Sequence, residues 1–332
     1  MIPVIVLAGA TATGKSAFAV DLALWFRGRG QAAEVVNADS MLQYRGMDIG
    51  TAKPSLAERR GVRHHLIDIM DVAEPASVAV FQSLARTAIT DCRARGAVPI
   101  LVGGSALYLH AVIDAFDFPP TDPVIRARLT AEVAERGTEP LYSRLAAQSP
   151  ETARGIDPGN ARRIVRALEA IELTGEFTPS LPDWTYAIPP VTQLGLAITR
   201  SDMDARIAAR VEAMWRAGFV DEVRGLLEGG LRGSPTAARA IGYRQIIAYL
   251  DGTMTADEAK ESTVIRTRQF ARKQLAWWRR DPRLTWLPAG TPVAGVAAAL
   301  GLTPSGTLGG DTAGGLAVSP GAAPVIARGE VA

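Results

Sequence analysis

Eight residues near the start of the chain have the types and spacing of a phosphate-binding loop. They fit the pattern G-x-x-x-x-G-K-[ST] and run Gly9-Ala10-Thr11-Ala12-Thr13-Gly14-Lys15-Ser16. In such a loop, backbone N–H groups turn towards a phosphate, the lysine neutralises its oxygens, and the final hydroxyl can ligate Mg²⁺. The β-branched run Ile2–Ala8 predicts a buried strand before the loop, and the apolar spacing from Phe18 predicts a helix after it. This context indicates a polyphosphate site, and the motif leaves open which polyphosphate binds.

Three further polar residues follow predicted strands. The segment Glu34–Ser40 is predicted to be a strand that ends in Asp39 and Ser40, and the strand Val98–Val102 runs through two glycines to Ser105. In open α/β sheets, ligands bind at the carboxyl ends of the strands, so we expect these side chains near the phosphate loop. The simpler structural role for Ser105 is that of an N-cap of the next helix.

The segment after Ser40 predicts a functional loop and then a part of the core. Gln43–Pro54 is polar and glycine-punctuated, which is typical of a functional loop beside a ligand site. His64–Ile69 predicts a short strand whose two histidines face opposite sides, so a structural role is favoured over joint metal binding. Cys92 lies on the apolar face of a helix predicted over Val78–Arg95 and is expected in the core.

Proline-marked borders near Phe116 and Pro190 enclose a region with only helical patterns. The predicted helices are Asp122–Arg136, Glu139–Ala147 and Asn160–Thr174. A strand pattern returns at Gln193–Ile198. The predicted fold class is therefore α/β, a parallel sheet core like that of the P-loop NTPases with an all-helical insertion domain. We place the first part of the core at 1–116, the insertion at 117–191, the second part of the core at 192–302 and a disordered tail at 303–332.

The composition narrows the class of protein. The chain has 332 residues, with 36 Lys+Arg against 34 Asp+Glu and a pI near 8.8, so a nucleic-acid surface would have to be local. One cysteine and three histidines exclude a disulfide framework and disfavour a structural zinc site. No cleavable signal and no apolar stretch of bilayer length is found, which leads us to expect a soluble cytoplasmic protein.

A long helix predicted from Thr255 to about Arg280 combines arginines with aromatic residues. Within it, Arg268 and Arg272 are four residues apart and share one face. Two interpretations are equally favoured at this point, a solvated helix face and a nucleic-acid surface. For the phosphate loop, a small-metabolite kinase is one interpretation, although the strand Val98–Val102 ends in Gly-Gly-Ser and not in the aspartate of a Walker B strand.

Several blocks in order show that the chain resembles the tRNA dimethylallyltransferases, also called isopentenyl-diphosphate:tRNA transferases, over almost its whole length except the tail. The blocks, besides the phosphate loop, are Asp39-Ser40, Tyr44–Pro54 with its DIGTAKP segment, Val102–Tyr108, Arg162–Glu169, Ala240–Gln245 and Thr267-Arg268-Gln269 onward. Two departures are Ala10, where the family usually has Pro, and Ser105, where it usually has Thr.

The resemblance implies a prenyl transfer to RNA. The loop would hold the diphosphate of dimethylallyl diphosphate with Mg²⁺, with Ser16 as a metal ligand and Lys15 stabilising the leaving group. The acceptor would be the exocyclic N6 amine of the adenosine 3′ of the anticodon, extruded from its loop. Asp39 matches the family's base, Ser105 a hydroxyl near the leaving diphosphate, and Arg200 and Arg206 its diphosphate-contacting arginines.

The resemblance also implies the RNA contacts, with the insertion gripping the anticodon stem-loop. The matching positions are Asp39, Ser40, Met41, Leu42, Ser105, Arg126, Arg162, Arg163, Arg166, Gly242, Tyr243, Arg244, Arg268 and Arg272. We expect a monomer without membrane association. Two other classes stay open at this point: a small-metabolite kinase, and a non-catalytic RNA-binding P-loop protein.

Overall fold

A parallel sheet of six strands forms the centre of the molecule in a computed structural model that describes residues 1–177 and 184–299. The strands are β1 Val4–Ala8, β2 Ala33–Asn37, β3 His64–His65, β4 Val98–Val102, β5 Val191–Leu196 and β6 Leu284–Leu287. Their order across the sheet is β3-β2-β4-β1-β5-β6, and every pair is parallel. The predicted α/β class is confirmed.

Helices cover both faces of the sheet and form the insertion. Those up to the insertion are α1 Lys15–Arg27, α2 Leu56–Arg59, α3 Val78–Ala94 and α4 Ala106–Ile113. The insertion contains α5 Pro123–Arg136, α6 Glu139–Gln148, α7 Pro150–Arg154 and α8 Ala161–Thr174. The second part of the core contains α9 Arg200–Arg216, α10 Phe219–Glu228, α11 Tyr243–Leu250, α12 Ala256–Trp278 and α13 Val293–Ala299, with short 3₁₀ turns at Leu231–Gly233 and Ala237–Arg239.

The strands bury both of their faces, as parallel strands between helices do. In β1, the side chains of Val4 and Val6 join a core with α3, α4 and Trp278. Ile5 and Leu7 point to the other face, where they pack against α1. This explains why the strand reads as a continuous apolar run and does not alternate with polar residues.

The third strand is much shorter than the predicted His64–Ile69. Leu66 and Asp68 have positive φ angles of 61° and 58°, which end the extended conformation after His65. Both histidine rings form hydrogen bonds within the protein. The partner of His64 is the Val62 carbonyl, and that of His65 is the Glu34 carboxylate at 2.6 Å.

Cys92 is buried in the core, as predicted. Its thiol lies 3.5 Å from the carboxylate of Glu34, and burial raises its pKa to about 12. Arg95 also donates to this carboxylate at 2.8 Å, so Glu34 is already balanced by a cation.

The insertion helices have a hydrophobic core of their own. It includes Leu129 of α5, Leu141 and Leu145 of α6, and Ile164 and Leu168 of α8. The chain leaves and re-enters the sheet at one place, because the N–H of Ala115 donates to the Thr185 carbonyl and that of Ala187 to the Ile113 carbonyl. The exact domain boundaries stay predictions, and the predicted tail at 303–332 lies outside the described residues.

A buried ionic network connects this junction to the end of α12. The guanidinium of Arg283 contacts Asp114 at 2.6 Å and Asp281 at 2.9 Å, and both carboxylates are almost completely buried. His110 donates or accepts a hydrogen bond with Asp114 at 2.6 Å. The cation and the hydrogen bonds hold the pKa of Asp114 below its usual value against the opposing effect of burial.

We predict that Arg283→Ala lowers the free energy of unfolding by about 3–5 kcal/mol, because it leaves two carboxylates buried without their cation. The measurement is urea unfolding followed by fluorescence. The control is Arg280→Ala, an exposed residue in the turn after α12, which should change stability by less than about 0.5 kcal/mol. An equal, small effect of both substitutions would contradict the structural role of the network.

Candidate functional site

One cavity of about 990 Å³ lies at the carboxyl ends of the strands. Its wall includes the phosphate loop, the end of β2, the end of β4 and one side each of α9 and α12. Because β2, β4 and β1 are neighbours in the sheet, their ends meet at this edge. The predicted residues Lys15, Ser16, Asp39, Ser40 and Ser105 all line this cavity.

The phosphate loop has the predicted strand–loop–helix context. It connects β1 to α1, and Gly14 adopts a left-handed conformation with φ of 92° just before the first helical turn. The amino group of Lys15 donates to the Ala10 carbonyl, and Thr11 donates its N–H to the Gln274 side chain at 2.9 Å. Helix α12 therefore fixes the loop from the opposite side of the cavity.

Two glycines after β4 are required by close packing. A Cβ at Gly103 would lie 2.6 Å from the Ala38 carbonyl oxygen, and one at Gly104 would lie 2.5 Å from Nε2 of Gln274. The Gly-Gly-Ser segment therefore brings the end of β4 against both β2 and the residue that holds the phosphate loop. This packing places Ser105 at the cavity wall.

Asp39 is held by a local turn just after β2. One of its carboxylate oxygens accepts the N–H of Met41 at 2.9 Å, and its own N–H donates to the Asn37 side chain at 2.9 Å. Asn37 in turn donates to the Leu66 carbonyl at 2.9 Å. The predicted strand to Ser40 therefore ends at Asn37, because the chain turns there to present Asp39 to the cavity.

Three of the charged groups in the cavity, Lys15, Asp39 and Arg210, interact with one another. Burial lowers the pKa of Lys15 to about 8, with Asp39 raising it and Arg210 lowering it further. Burial also raises the pKa of Asp39, although Lys15 and Arg210 act in the opposite direction. Perturbed groups in a cleft are typical of functional sites, and the two cations prepare this one for an anion.

Ser105 occupies the N-cap position of α4 without a side-chain capping bond. Its hydroxyl is therefore not used by the simpler structural role that the sequence suggested. It lies at the same edge as Asp39 and the phosphate loop, where it can contact a ligand.

Three of the arginines of α9 are placed differently from one another. Arg200 and Arg206 are exposed and are not part of the cavity wall, so a direct contact of either with a bound diphosphate stays a prediction. Sequence reasoning assigned no role to Arg210, which lines the cavity and donates to the Thr11 hydroxyl at 3.3 Å. A signal was available, since Arg210 lies three residues after Ile207 and shares the inner side of the helix with it.

The arginines predicted to contact RNA in the insertion fall into two groups. Arg126 of α5 contacts the fully buried carboxylate of Glu169 on α8 at 2.7 Å and so holds α5 to α8. Arg166 lies on α8 itself, contacts the same carboxylate at 3.0 Å and donates to the Pro119 and Pro120 carbonyls that precede α5. Arg162 and Arg163 are exposed on α8. The RNA role of all four stays a prediction, and the first two have a structural role as well.

The remaining predicted RNA-contact residues lie on α12, in the loop after Asp39 and at the start of α11. Arg268 and Arg272 share one face of α12 and lie 3.7 Å and 3.9 Å from the Asp204 carboxylate, so they also connect α12 to α9. Met41, Leu42 and Tyr243 are part of the cavity wall, and Tyr243 is completely buried. Gly242 begins α11 with a positive φ of 91°, and Arg244 is exposed.

Much of the remaining cavity wall is apolar. The side chains that contribute to it are Met41, Leu42, Ile207, Val211, Met214, Ile241 and Phe270. The wall also carries the charged side chains of Asp21, Glu58, Arg60 and Arg239. A site that combines cations at the phosphate loop with an apolar stretch of wall suits a ligand with an anionic head and a short hydrocarbon group. Fold and site together define an α/β protein with a P-loop-like core and a cavity at the carboxyl ends of its strands.

Comparison with known proteins identifies the family. The model of the IPP transferase family matches residues 42–281. The tRNA dimethylallyltransferase of Cutibacterium acnes is 53% identical over 88% of this chain and 91% of its own length, and that of Thermobifida fusca is 55% identical over 88% and 92%. The chain therefore belongs to the tRNA dimethylallyltransferase, or IPP transferase, family of prenyl-transferring enzymes.

Solved structures show the same similarity. The full-length tRNA isopentenylpyrophosphate transferase of Bacillus halodurans matches with a TM-score of 0.66 and 36% identity, covering 91% of this chain and 96% of that one. A eukaryotic dimethylallyltransferase acting on tRNA matches with a TM-score of 0.74 and 26% identity, covering 88% of this chain and 75% of that one.

Within the described residues, no helix is both long and apolar enough to cross a membrane.

We predict that the affinity for inorganic diphosphate falls as the pH rises above about 8, because Lys15 then loses its proton in the free protein. At pH 9 the dissociation constant should be about tenfold higher than at pH 7.5. Isothermal titration calorimetry at constant Mg²⁺ gives this constant.

The matched variant for this titration is Lys15→Arg, whose side chain keeps its charge over the whole range. The titration of diphosphate itself affects both proteins equally and drops out of the comparison. Only the wild type should therefore show the additional loss of affinity above about pH 8. Parallel pH profiles for the two proteins would contradict the assignment of the titrating group to Lys15.

Proposed function

We propose that the chain transfers a dimethylallyl group from dimethylallyl diphosphate to the exocyclic N6 amine of the adenosine 3′ of the anticodon in tRNA, with release of diphosphate. The observation that supports this most directly is the joint placement of the phosphate loop and Asp39 in one cavity with apolar walls. The names of the related proteins agree with this reaction.

The donor fits the phosphate-loop end of the cavity. When the bond between the allylic carbon and the diphosphate breaks, negative charge develops on the leaving oxygen. Lys15, Arg210 and the backbone N–H groups before α1 are placed to stabilise that charge, and the Ser105 hydroxyl can donate to it. The apolar wall would hold the hydrocarbon part of the donor and keep water away from the reacting carbon.

The acceptor amine needs a base. The N6 amine of adenine is a weak nucleophile that must lose a proton as its nitrogen bonds to carbon. One carboxylate oxygen of Asp39 accepts the N–H of Met41, which leaves the other oxygen to accept the amine proton. Its raised pKa makes it a stronger base than an ordinary aspartate while it remains beside two cations.

Mg²⁺ fits the oxygen donors at the phosphate loop. Ser16 lines the cavity at the first turn of α1, and a hydroxyl together with diphosphate oxygens is the kind of ligand set this ion prefers. When bound, the ion would neutralise charge on the diphosphate.

The RNA would reach the cavity with its target base extruded from the anticodon loop. A loop base costs less to extrude than a paired one, because it has no partner strand to leave. The exposed arginines of α8 and the partly exposed Arg268 and Arg272 of α12 are suited to contact the RNA backbone. We also propose that the protein acts as a monomer in the cytoplasm, where its RNA substrate is found.

The two alternative classes lose support. The family assignment gives none to a small-metabolite kinase, and the segment after β4 has no acidic residue to hold the metal of a phosphoryl-transfer site. A non-catalytic RNA-binding protein would have no need for a carboxylate with a raised pKa beside a phosphate loop.

Replacing the base tests the proposed function. Asp39→Asn should slow single-turnover prenyl transfer by about a hundred- to ten-thousandfold, the usual contribution of a positioned base, with donor binding retained. Mass spectrometry of an anticodon stem-loop RNA after rapid quench gives the rate. Asp91→Asn, exposed on α3 and outside the cavity wall, is the control. A rate close to that of wild type would remove Asp39 from this role.

The exposed arginines of α8 should contribute to RNA affinity through phosphate contacts. Arg162→Ala should weaken RNA binding and lower the slope of log K against log salt by about 0.7–0.9. Arg166→Ala should also lower the melting temperature, since it leaves Glu169 with less compensation. The measurement is filter binding at several salt concentrations. If the slope is unchanged in both variants, this face does not contact RNA.

A further inference from the structure

A single carboxylate on α10 organises the loop after Asp39. Oε2 of Glu222 accepts the N–H groups of Asp48 at 3.0 Å and Ile49 at 2.5 Å, and Oε1 accepts the N–H of Gly50 at 3.1 Å. The hydroxyl of Tyr243 donates to Oε1 at 2.6 Å. Successive N–H groups that point to one anion form a backbone nest, and here a side chain of the protein fills it.

The packing around the nest permits little movement. A Cβ on Gly50 would overlap the ring of Phe219 and lie 2.6 Å from the Tyr243 ring. Phe219 and Tyr243 are both completely buried and pack edge to face, with ring centroids 4.9 Å apart. Burial and the Glu222 carboxylate both raise the pKa of Tyr243, so its hydroxyl stays a proton donor.

A chain of contacts connects the nest to Asp39. Lys53 closes the loop by contacting the Asp48 carboxylate at 2.5 Å and the Tyr44 carbonyl at 2.8 Å. The N–H of Tyr44 donates to the Met41 carbonyl at 3.3 Å, and Met41 holds the Asp39 carboxylate. Residues 39–53 thus form one connected unit whose far end is fixed by Glu222.

We propose that Glu222 is a positioning residue for the prenyl transfer, since it holds the loop 48–50 as the cavity wall and through that loop keeps Asp39 and the acceptor base in place. Glu222 is not part of the cavity wall, whereas Gly50, Thr51 and Ala52 are. The phosphate loop has its own supports in Gln274 and Arg210 and does not depend on Glu222.

This inference rests on the proposed function for its kinetic consequence. Glu222→Gln keeps the size of the side chain, but its NH₂ group would face backbone N–H donors and the negative charge is lost. We expect the Michaelis constant for the RNA to rise and kcat to fall, because the acceptor and its base are displaced. The combined effect should lower kcat/KM for the RNA by about ten- to hundredfold. The donor dissociation constant should stay within about twofold of wild type, since the phosphate loop is supported elsewhere.

Two measurements test the inference with Glu222→Gln, Glu222→Asp and the control Glu228→Gln, which lies exposed at the end of the same helix. The first is hydrogen exchange of peptides covering residues 48–54 in the free protein. Glu222→Gln should exchange there at least about tenfold faster, with Glu222→Asp between it and wild type. The second is steady-state kinetics with stem-loop RNA and dimethylallyl diphosphate.

The outcomes separate the inference from the proposed function. Faster exchange at 48–54 together with loss of RNA turnover and retained donor binding supports the inference. The inference is overturned if Glu222→Gln exchanges at the same rate as Glu228→Gln. It is also overturned if the wild-type protein is active and Glu222→Gln has the same RNA kinetics. A wild-type protein that prenylates no RNA overturns the proposed function, and the exchange experiment still decides whether Glu222 holds the loop.

Discussion

The structure depends on one electrostatic constraint, the interaction of a carboxylate and two cations that are half-buried in one cavity. Because these groups are partly removed from water, each charge affects the others more strongly than it would in bulk solvent. Within this group of three, Lys15 and Arg210 exceed Asp39 by one positive charge, and desolvation lowers the pKa of each cation. An incoming polyphosphate would relieve this excess, which is why a base and an anion site can exist side by side.

The sheet makes this arrangement possible. The order β2-β4-β1 brings three strand ends together, and each end supplies a different group: Asp39, Ser105 and the phosphate loop. Helices α9 and α12 close the cavity from outside the sheet with Arg210 and Gln274. Gly103 is needed because the ends of β4 and β2 approach too closely for a Cβ, and a Cβ at Gly104 would displace the Gln274 side chain of α12.

Local signals in the sequence were sufficient for much of the site. The phosphate loop carries its own strand and helix, so its context could be predicted, and Asp39 and Ser105 follow apolar runs long enough to be strands. Prediction was less successful where the answer depends on packing. The strand after residue 64 ends early because Leu66 and Asp68 have left-handed backbone, which no local pattern of apolar residues shows.

Charged residues were the hardest to place. The sequence gives the positions of the arginines but not their partners, so Arg126 and Arg166 resemble a solvent-facing basic surface until the buried Glu169 is seen between them. Arg283 contacts Asp114, about 170 positions away in the sequence, in a buried network. The local spacing of residues in the sequence does not predict a contact over such a separation. Such ion pairs are set by tertiary contacts, which is why the sequence could not separate structural arginines from those available to RNA.

The most direct test is the identity of the products formed by the wild-type protein. The protein would be incubated with an anticodon stem-loop RNA, dimethylallyl diphosphate and Mg²⁺ in the absence of ATP, followed by nuclease digestion and mass spectrometry. The account predicts one dimethylallyl group on N6 of the adenosine 3′ of the anticodon and an equal amount of inorganic diphosphate. Unmodified RNA in this mixture, together with phosphate release when ATP replaces the allylic donor, would contradict it.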